Sequence, residues 1–148
     1  MQLTRAGEYA IRAIVYLSAQ PEGKISLIND IAEVQEVPRS FLAKIIQTLT
    51  KVGLVRSHRG VKGGVTLARR PEEITLLEVI EKMEGPIFLN VCLIRQGECH
   101  RDVTCPVHPV WREAQTALLG VLSGYTMDML VAKGAELQAA HGQGTGKK

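Results

Sequence analysis

Aromatic residues are scarce: one Trp, three Tyr and two Phe, 4% of 148 residues. So few rings argue against the stacking platforms that grip single-stranded nucleic acid. No stretch approaches the roughly 20 apolar residues of a membrane span. Arg5, Glu8 and Arg12 interrupt the N-terminal segment before it can form a signal core. Three cysteines are too few for a disulfide framework, and the odd count leaves one thiol over. The expectation is a cytoplasmic protein, not bound to membrane, in a compartment that keeps thiols reduced. There, clustered cysteines more often bind metal or carry redox chemistry than staple a fold. Catalytic signatures are missing too. There is no Ser/His/Asp pairing, no phosphate loop opening a helix and no pair of cleft carboxylates, so neither an enzyme nor a small-molecule substrate is expected.

Acidic residues are absent from one long stretch. Between Val37 and Arg70 stand eight bases (Arg39, Lys44, Lys51, Arg56, Arg59, Lys62, Arg69, Arg70) and no Asp or Glu. The net charge of +3 therefore hides an asymmetry. A carboxylate-free run of this length is the electrostatic footprint of a polyanion-binding surface, or else a solvated basic face.

Periodicity predicts a mainly α protein with one small hairpin. Thr4 is placed to cap a helix over about 5–19, whose apolar face is Leu3, Ala6, Ala10, Ala13, Ile14 and Leu17. Ser26 is the expected cap of a short second helix ending near Val34. Gln35-Glu36-Val37 breaks it, and Pro38 opens a third helix whose inner face is Leu42, Ile45, Ile46 and Leu49. Gly53 suits the left-handed position that closes it. Leu54–His58 and Val65–Ala68 read as two short strands around a basic, glycine-rich turn. Thr75 and Glu78 read as a capping box for a fourth helix ending near Glu84. From 85 to 109 the helical pattern disappears, and all three cysteines fall there. A fifth helix is expected over about 110–123. Trp111, Ala114, Leu118, Val121 and Tyr125 step by three and four along it, a seam suited to a homodimer. A short last helix follows Thr126, and a disordered tail is expected from 134. The expected regions are thus 1–84, a DNA-binding domain; 85–109, a cysteine-rich loop; 110–133, a dimerisation helix with a short terminal helix; and 134–148, a tail.

Helix, tight turn, helix and basic-tipped hairpin is the order of a winged helix-turn-helix. A helix fits the major groove and phosphates demand nearby cations. On the third helix Arg39, Ser40, Lys44, Gln47 and Lys51 lie off the apolar face. At the hairpin tip Arg59 and Gly60 suit entry into a minor groove, with Lys62 beside them. A two-fold dimer of such domains reads a roughly palindromic site in double-stranded DNA.

Cys92, Cys99, Cys105 and His108 fall within 17 residues. Thiolates are soft ligands that select zinc or iron–sulfur. No CxxC chelate of the usual zinc type is present, whereas iron–sulfur clusters tolerate wider spacings and sometimes accept histidine.

The segments LTRAGEYAIRA, VPRSFLAKIIQTLTKVGLV and RGVKGGVTLAR, with the three-cysteine loop, resemble the Rrf2 family of bacterial transcription regulators over residues 1 to about 133. The resemblance implies a homodimeric winged-helix protein with a 2Fe–2S or 4Fe–4S cluster. It matches Cys92, Cys99 and Cys105 to the cluster ligands and His108 to a fourth. It matches Arg59 to the wing residue of the minor groove, and puts Ser40 and Lys44 on the recognition helix. The six residues between Cys92 and Cys99 exceed the family's more usual five, which leaves cluster type open. Glu8 stands where some members supply an acidic ligand from the partner's first helix. The function implied is a transcription regulator whose DNA affinity an iron–sulfur cluster controls. The alternatives are a cluster-free regulator switched by thiol oxidation or a partner protein, and a zinc-stabilised interaction module with no DNA role.

Overall fold

The computed structural model describes residues 1–144. Among the described residues the elements are α1 (Arg5–Ser18), α2 (Ile28–Val34), α3 (Arg39–Lys51), β1 (Val55–His58), β2 (Gly64–Leu67), α4 (Leu76–Glu84), α5 (His108–Gly124) and α6 (Met127–Gly144). Short 3-10 turns occur at Pro71–Glu73 and Val91–Leu93. This is the mainly α architecture with a two-stranded wing that the periodicity predicts.

Local chemistry sets most boundaries. Thr4 Oγ1 accepts a 3.2 Å hydrogen bond from the Gly7 amide, satisfying one of the orphan donors at the start of α1. The buried row of α3 is Leu42, Ile45, Ile46 and Leu49, the face expected from its spacing. Gly53, at φ +80°, closes α3 in the left-handed conformation. These rows meet Ala10, Ala13, Ile14 and Leu17 of α1, together with Leu54, Val55, Val65, Ile74, Val79 and Met127, in one core. Fully burying each of the larger aliphatic side chains contributes about 1.5–3 kcal/mol. The strands pair antiparallel, Val55 with Leu67 and His58 with Gly64, so Val55 and Val65 lie on the core side of the hairpin.

Ser26 departs from its expected role. α2 starts at Ile28 with Leu27 at the cap position and no side-chain cap. Ser26 instead exchanges backbone hydrogen bonds of 2.9 and 2.8 Å with Val65, bridging the chain before α2 to the wing. The edge of β2 competes for the same backbone groups, and no local pattern announces a partner 39 residues away. Gly64 permits the approach, because a Cβ there would lie 2.4 Å from the Ser26 carbonyl oxygen.

The Thr75 box forms by half. The Glu78 amide donates to Thr75 Oγ1 at 3.1 Å, but the Glu78 carboxylate pairs with Arg69. Helix α5 begins at His108, with Pro109 in its first turn, two residues before the expected start. Tyr125, the last member of the expected seam, lies past the helix in extended conformation, where its carbonyl accepts from the Leu76 amide at 2.9 Å. Helix α6 is the largest correction. It continues to Gly144 instead of giving way to a tail at 134. Its continuation, Ala135 to Ala140, contains only Ala, Glu, Leu and Gln, all good helix formers. Gly134 alone interrupts them, at a cost of about 1 kcal/mol. The rest of the expected tail, 145–148, lies outside the described residues.

Candidate nucleic-acid interface and cysteine cavity

The helix-turn-helix is α2, the turn and α3. Glu36 in the turn has φ +53°, a left-handed conformation that side chains rarely adopt. Arg39, Ser40, Lys44, Gln47 and Lys51 are all exposed on α3, away from its buried row. The Arg39 guanidinium donates to Asn29 Oδ1, linking the start of α3 to α2. At the wing tip Arg59, Gly60 and Lys62 are exposed, and the Gly63 amide donates to the Gly60 carbonyl at 2.9 Å to close the turn. Helix and wing thus present their bases on exposed surfaces joined by the Ser26 bridge.

Sequence reasoning missed an aromatic contact beside this surface. Tyr9 of α1 and Phe41 of α3 meet edge to face, with centroids 5.6 Å apart. Arg12 lies 5.6 Å from the Tyr9 ring centroid, and Arg5 Nη1 donates to the Tyr9 hydroxyl at 3.5 Å. That hydroxyl, followed by the attraction of Tyr9 and Glu8, raises the Arg5 pKa above the ordinary arginine value. Residues 32 positions apart carry no short-range signal, and only the packing of α1 on α3 reveals the pair.

The second constellation lies at the foot of α5. One cavity of about 390 Å³ is lined by Cys92, Cys99, Cys105, Asp102, His108 and Trp111, among others. Cys92 sits in the 3-10 turn, and the Cys105 amide donates to the Arg101 carbonyl at 2.7 Å, closing a turn of the loop shortly before α5. Gln115 pins the start of the loop to α5, accepting from the Leu89 amide at 2.9 Å and donating to the Ile87 carbonyl at 2.5 Å. All three thiols are free and half-buried. Among the described residues, no three Cys, His, Asp or Glu side chains converge closely enough to hold a single metal ion.

His108 is 8% exposed. Its Nδ1 is buried with no hydrogen-bond partner, while Nε2 lies 3.1 Å from Arg112 Nη2. A buried polar atom without a partner is uncommon, and here it belongs to a ring on the wall shared with three thiols. Thiolate and imidazole are the donor types that iron–sulfur clusters accept. Glu8 is exposed on α1 and is not part of the cavity wall.

Of the expected seam, Trp111, Ala114, Val121 and Tyr125 are exposed and Leu118 is partly buried. His108 is the one buried residue of α5, so among the described residues the helix keeps an exposed apolar stripe. Among the described residues no helix is long and apolar enough to cross a membrane.

Comparison with known proteins places this geometry. The Rrf2 family, described as an iron-dependent transcriptional regulator, matches residues 3–133. The chain is 35% identical over 140 residues to the HTH-type transcriptional regulator NsrR of Shouchella clausii, covering 94% of each protein. Among solved structures it is similar to IscR of T. potens, with TM-score 0.74, 25% identity, and coverage of 93% of this chain and 91% of that one. It shares the fold of CymR, the global cysteine regulator of B. subtilis, with TM-score 0.75, 24% identity, and coverage of 90% and 98%. The NsrR relative is a transcriptional regulator and not an enzyme, and the chain belongs to the Rrf2 family of transcriptional regulators.

Proposed function

We propose that this regulator binds a roughly palindromic operator as a homodimer, and that an iron–sulfur cluster in the 85–109 loop sets its affinity. In this reading residues 1–84 hold the DNA. Arg39, Ser40, Lys44 and Gln47 face the major groove, Lys51 and Lys62 face phosphates, and Arg59 with Gly60 enters the minor groove. Residues 110–133 supply the dimer contact, with Trp111, Ala114, Leu118, Val121 and Tyr125 covering one another across the two-fold axis.

The observation that carries the cluster reading is the single cavity lined by Cys92, Cys99, Cys105 and His108 together. The three thiolates would hold the cluster. His108 is the candidate for the fourth position, with Glu8 of a partner subunit as the alternative. Such a cluster supplies redox and ligand-exchange chemistry that responds to oxygen, nitric oxide or iron supply.

The protein's own residues supply the coupling. The loop leaves α4 at Glu84, whose carboxylate accepts from Thr4 at the start of α1. It re-enters helix at His108, the first residue of α5. Ordering the loop therefore fixes both ends of the route from the cavity to the dimer helix and the DNA-binding domain. Site-to-site coupling of this kind is typically about 1–3 kcal/mol, roughly 5–150-fold in affinity.

The test titrates one operator with cluster-loaded, cluster-free and Cys92→Ala/Cys99→Ala/Cys105→Ala protein at one salt concentration. At least a several-fold difference between loaded and cluster-free forms is expected, with the triple variant matching the cluster-free form. Equal affinities for all three would remove the control. A second reading is favoured by the thiols being free and half-buried in one cavity: a cluster-free regulator switched by their oxidation. Colourless anaerobic protein whose operator affinity changes with peroxide would select that reading.

A further inference from the structure

We infer that a cavity behind the wing binds a small organic monocarboxylate, with Arg56 as the residue that receives the carboxylate. Eight bases fill the acid-free run from 37 to 70. Arg39, Lys44, Lys51, Arg59 and Lys62 belong to the proposed DNA surface. Arg69 pairs with Glu78, and Arg70 lies 3.7 Å from Glu72. Arg56 is the base left over. Its side chain has no hydrogen bond or ion pair among the described residues. It also points away from α3. Ser57 Oγ lies 3.3 Å from Thr50 Oγ1 of α3, and side chains alternate across a strand. Arg56 and Thr66, its register partner, therefore occupy the opposite face of the hairpin.

That face forms one wall of a cavity of about 800 Å³, within the roughly 300–1,000 Å³ of small-molecule sites. The end of α1, the turn after it and the segment following β2 complete the walls, and Leu17, Leu67, Ala68 and Pro71 make part of them aliphatic. A planar guanidinium takes a carboxylate through two parallel N–H donors. The other charges limit what fits. Of the bases that line the cavity, Lys24 and Arg56 have no acidic partner among the described residues, and Glu22 offsets one positive charge. The balance left is that of one anion. A polyanion would also meet the carboxylates of Glu72 and Glu73 on the same walls. Occupancy cancels one positive charge on the wing, whose tip is proposed to enter DNA. Operator affinity is therefore expected to fall when the site is filled, most at low salt, where charges are least screened. This regulatory part rests on the operator reading above. The binding part does not.

The test has two arms. Isovalerate is the probe, with isovaleramide as an uncharged counterpart of the same shape. In ¹H–¹⁵N correlation spectra of the full chain, isovalerate is expected to shift the amides of Leu17, Arg56, Thr66 and Ala68 along saturable curves. Isovaleramide is expected to leave them in place. Arg56→Gln should lose the response, and Arg56→Lys should keep part of it. No saturable shift, or an equal shift from isovaleramide, overturns the site. An unchanged response in Arg56→Gln overturns the role of Arg56. A stronger response to inorganic phosphate than to isovalerate overturns the carboxylate assignment. In the second arm one operator is titrated at low salt, with sodium isovalerate or the same concentration of sodium chloride. Isovalerate is expected to weaken binding several-fold in the wild type and not in Arg56→Gln. Equal affinities in the wild type overturn the regulatory part. A lower salt slope in ligand-free Arg56→Gln would make Arg56 a DNA phosphate contact and overturn the proposal. Failure of the wild type to bind any operator counts against the operator reading, while the spectra still decide the site.

Discussion

The Thr4 hydroxyl donates a 2.5 Å hydrogen bond to Glu84 Oε1, joining the residue before α1 to the last residue of α4. The Thr4 amide donates to the same oxygen at 3.2 Å, and Thr4 Oγ1 also caps α1 through the Gly7 amide. Gly7 leaves the room this needs, since a Cβ there would lie 2.4 Å from Glu84 Oε1. Thr4→Ala and Glu84→Ala are each expected to lower stability by about 1 kcal/mol. The double variant should fall short of their sum by roughly 0.5–1.5 kcal/mol, read by urea unfolding. Strict additivity would mean that the two residues do not act together.

Glu36 supplies a second test. At φ +53° a residue with a Cβ is strained by about 1–2 kcal/mol, which glycine escapes while losing more entropy on folding. Glu36→Gly is expected to stabilise the protein by roughly 0.5–1 kcal/mol, a rise in Tm of about 2–4 °C by calorimetry. A fall in Tm would show that the Glu36 side chain contributes more than its backbone costs.

Arg59 and Lys51 should separate under the proposed reading. Arg59→Ala is expected to cost about 1–3 kcal/mol on the operator and to relax preference at the bases beside the minor-groove contact. Lys51→Ala should weaken all sequences alike and lower the salt slope by about 1. Fluorescence anisotropy over a salt series distinguishes the two. An Arg59→Ala protein with unchanged operator affinity would refute the wing assignment.

The stripe on α5 makes a prediction about assembly. Leu118 is half-buried in the single chain and flanked by exposed Ala114 and Val121. Leu118→Glu places a charge in the proposed dimer contact and should yield monomers in sedimentation, with operator affinity lost to match. Monomeric wild-type protein would rule the dimer out.

The parts of the fold legible in the sequence are those set by neighbours along the chain. The buried row of α3, the Thr4 cap and the Gly53 terminus each depend on residues within one or two turns. Ser26 reads as a cap and is not one, because its partner is a strand edge 39 residues away. Glu78 reads as one half of a box, but Arg69 competes for its carboxylate. The pattern ends α6 too early because one glycine outweighs the helix formers beyond it. At the site, the spacing of Cys92, Cys99, Cys105 and His108 draws attention to the loop. That His108 is engaged by Arg112 on one nitrogen and unpartnered on the other depends on the start of α5, which lies two residues earlier than the pattern suggests.

The Ser26–Val65 bridge also bears on how quickly the protein finds its site. A two-stranded hairpin joined to a domain at its base alone would sample many orientations, and docking would have to select one of them. Here a third chain segment is paired to β2, and Gly64 lets it lie close. The entropy of orienting the wing is thus lost when the chain folds and not when it meets DNA. Preorganisation of this kind leaves more of the contact energy for affinity, and lets productive encounters proceed without a slow conformational search.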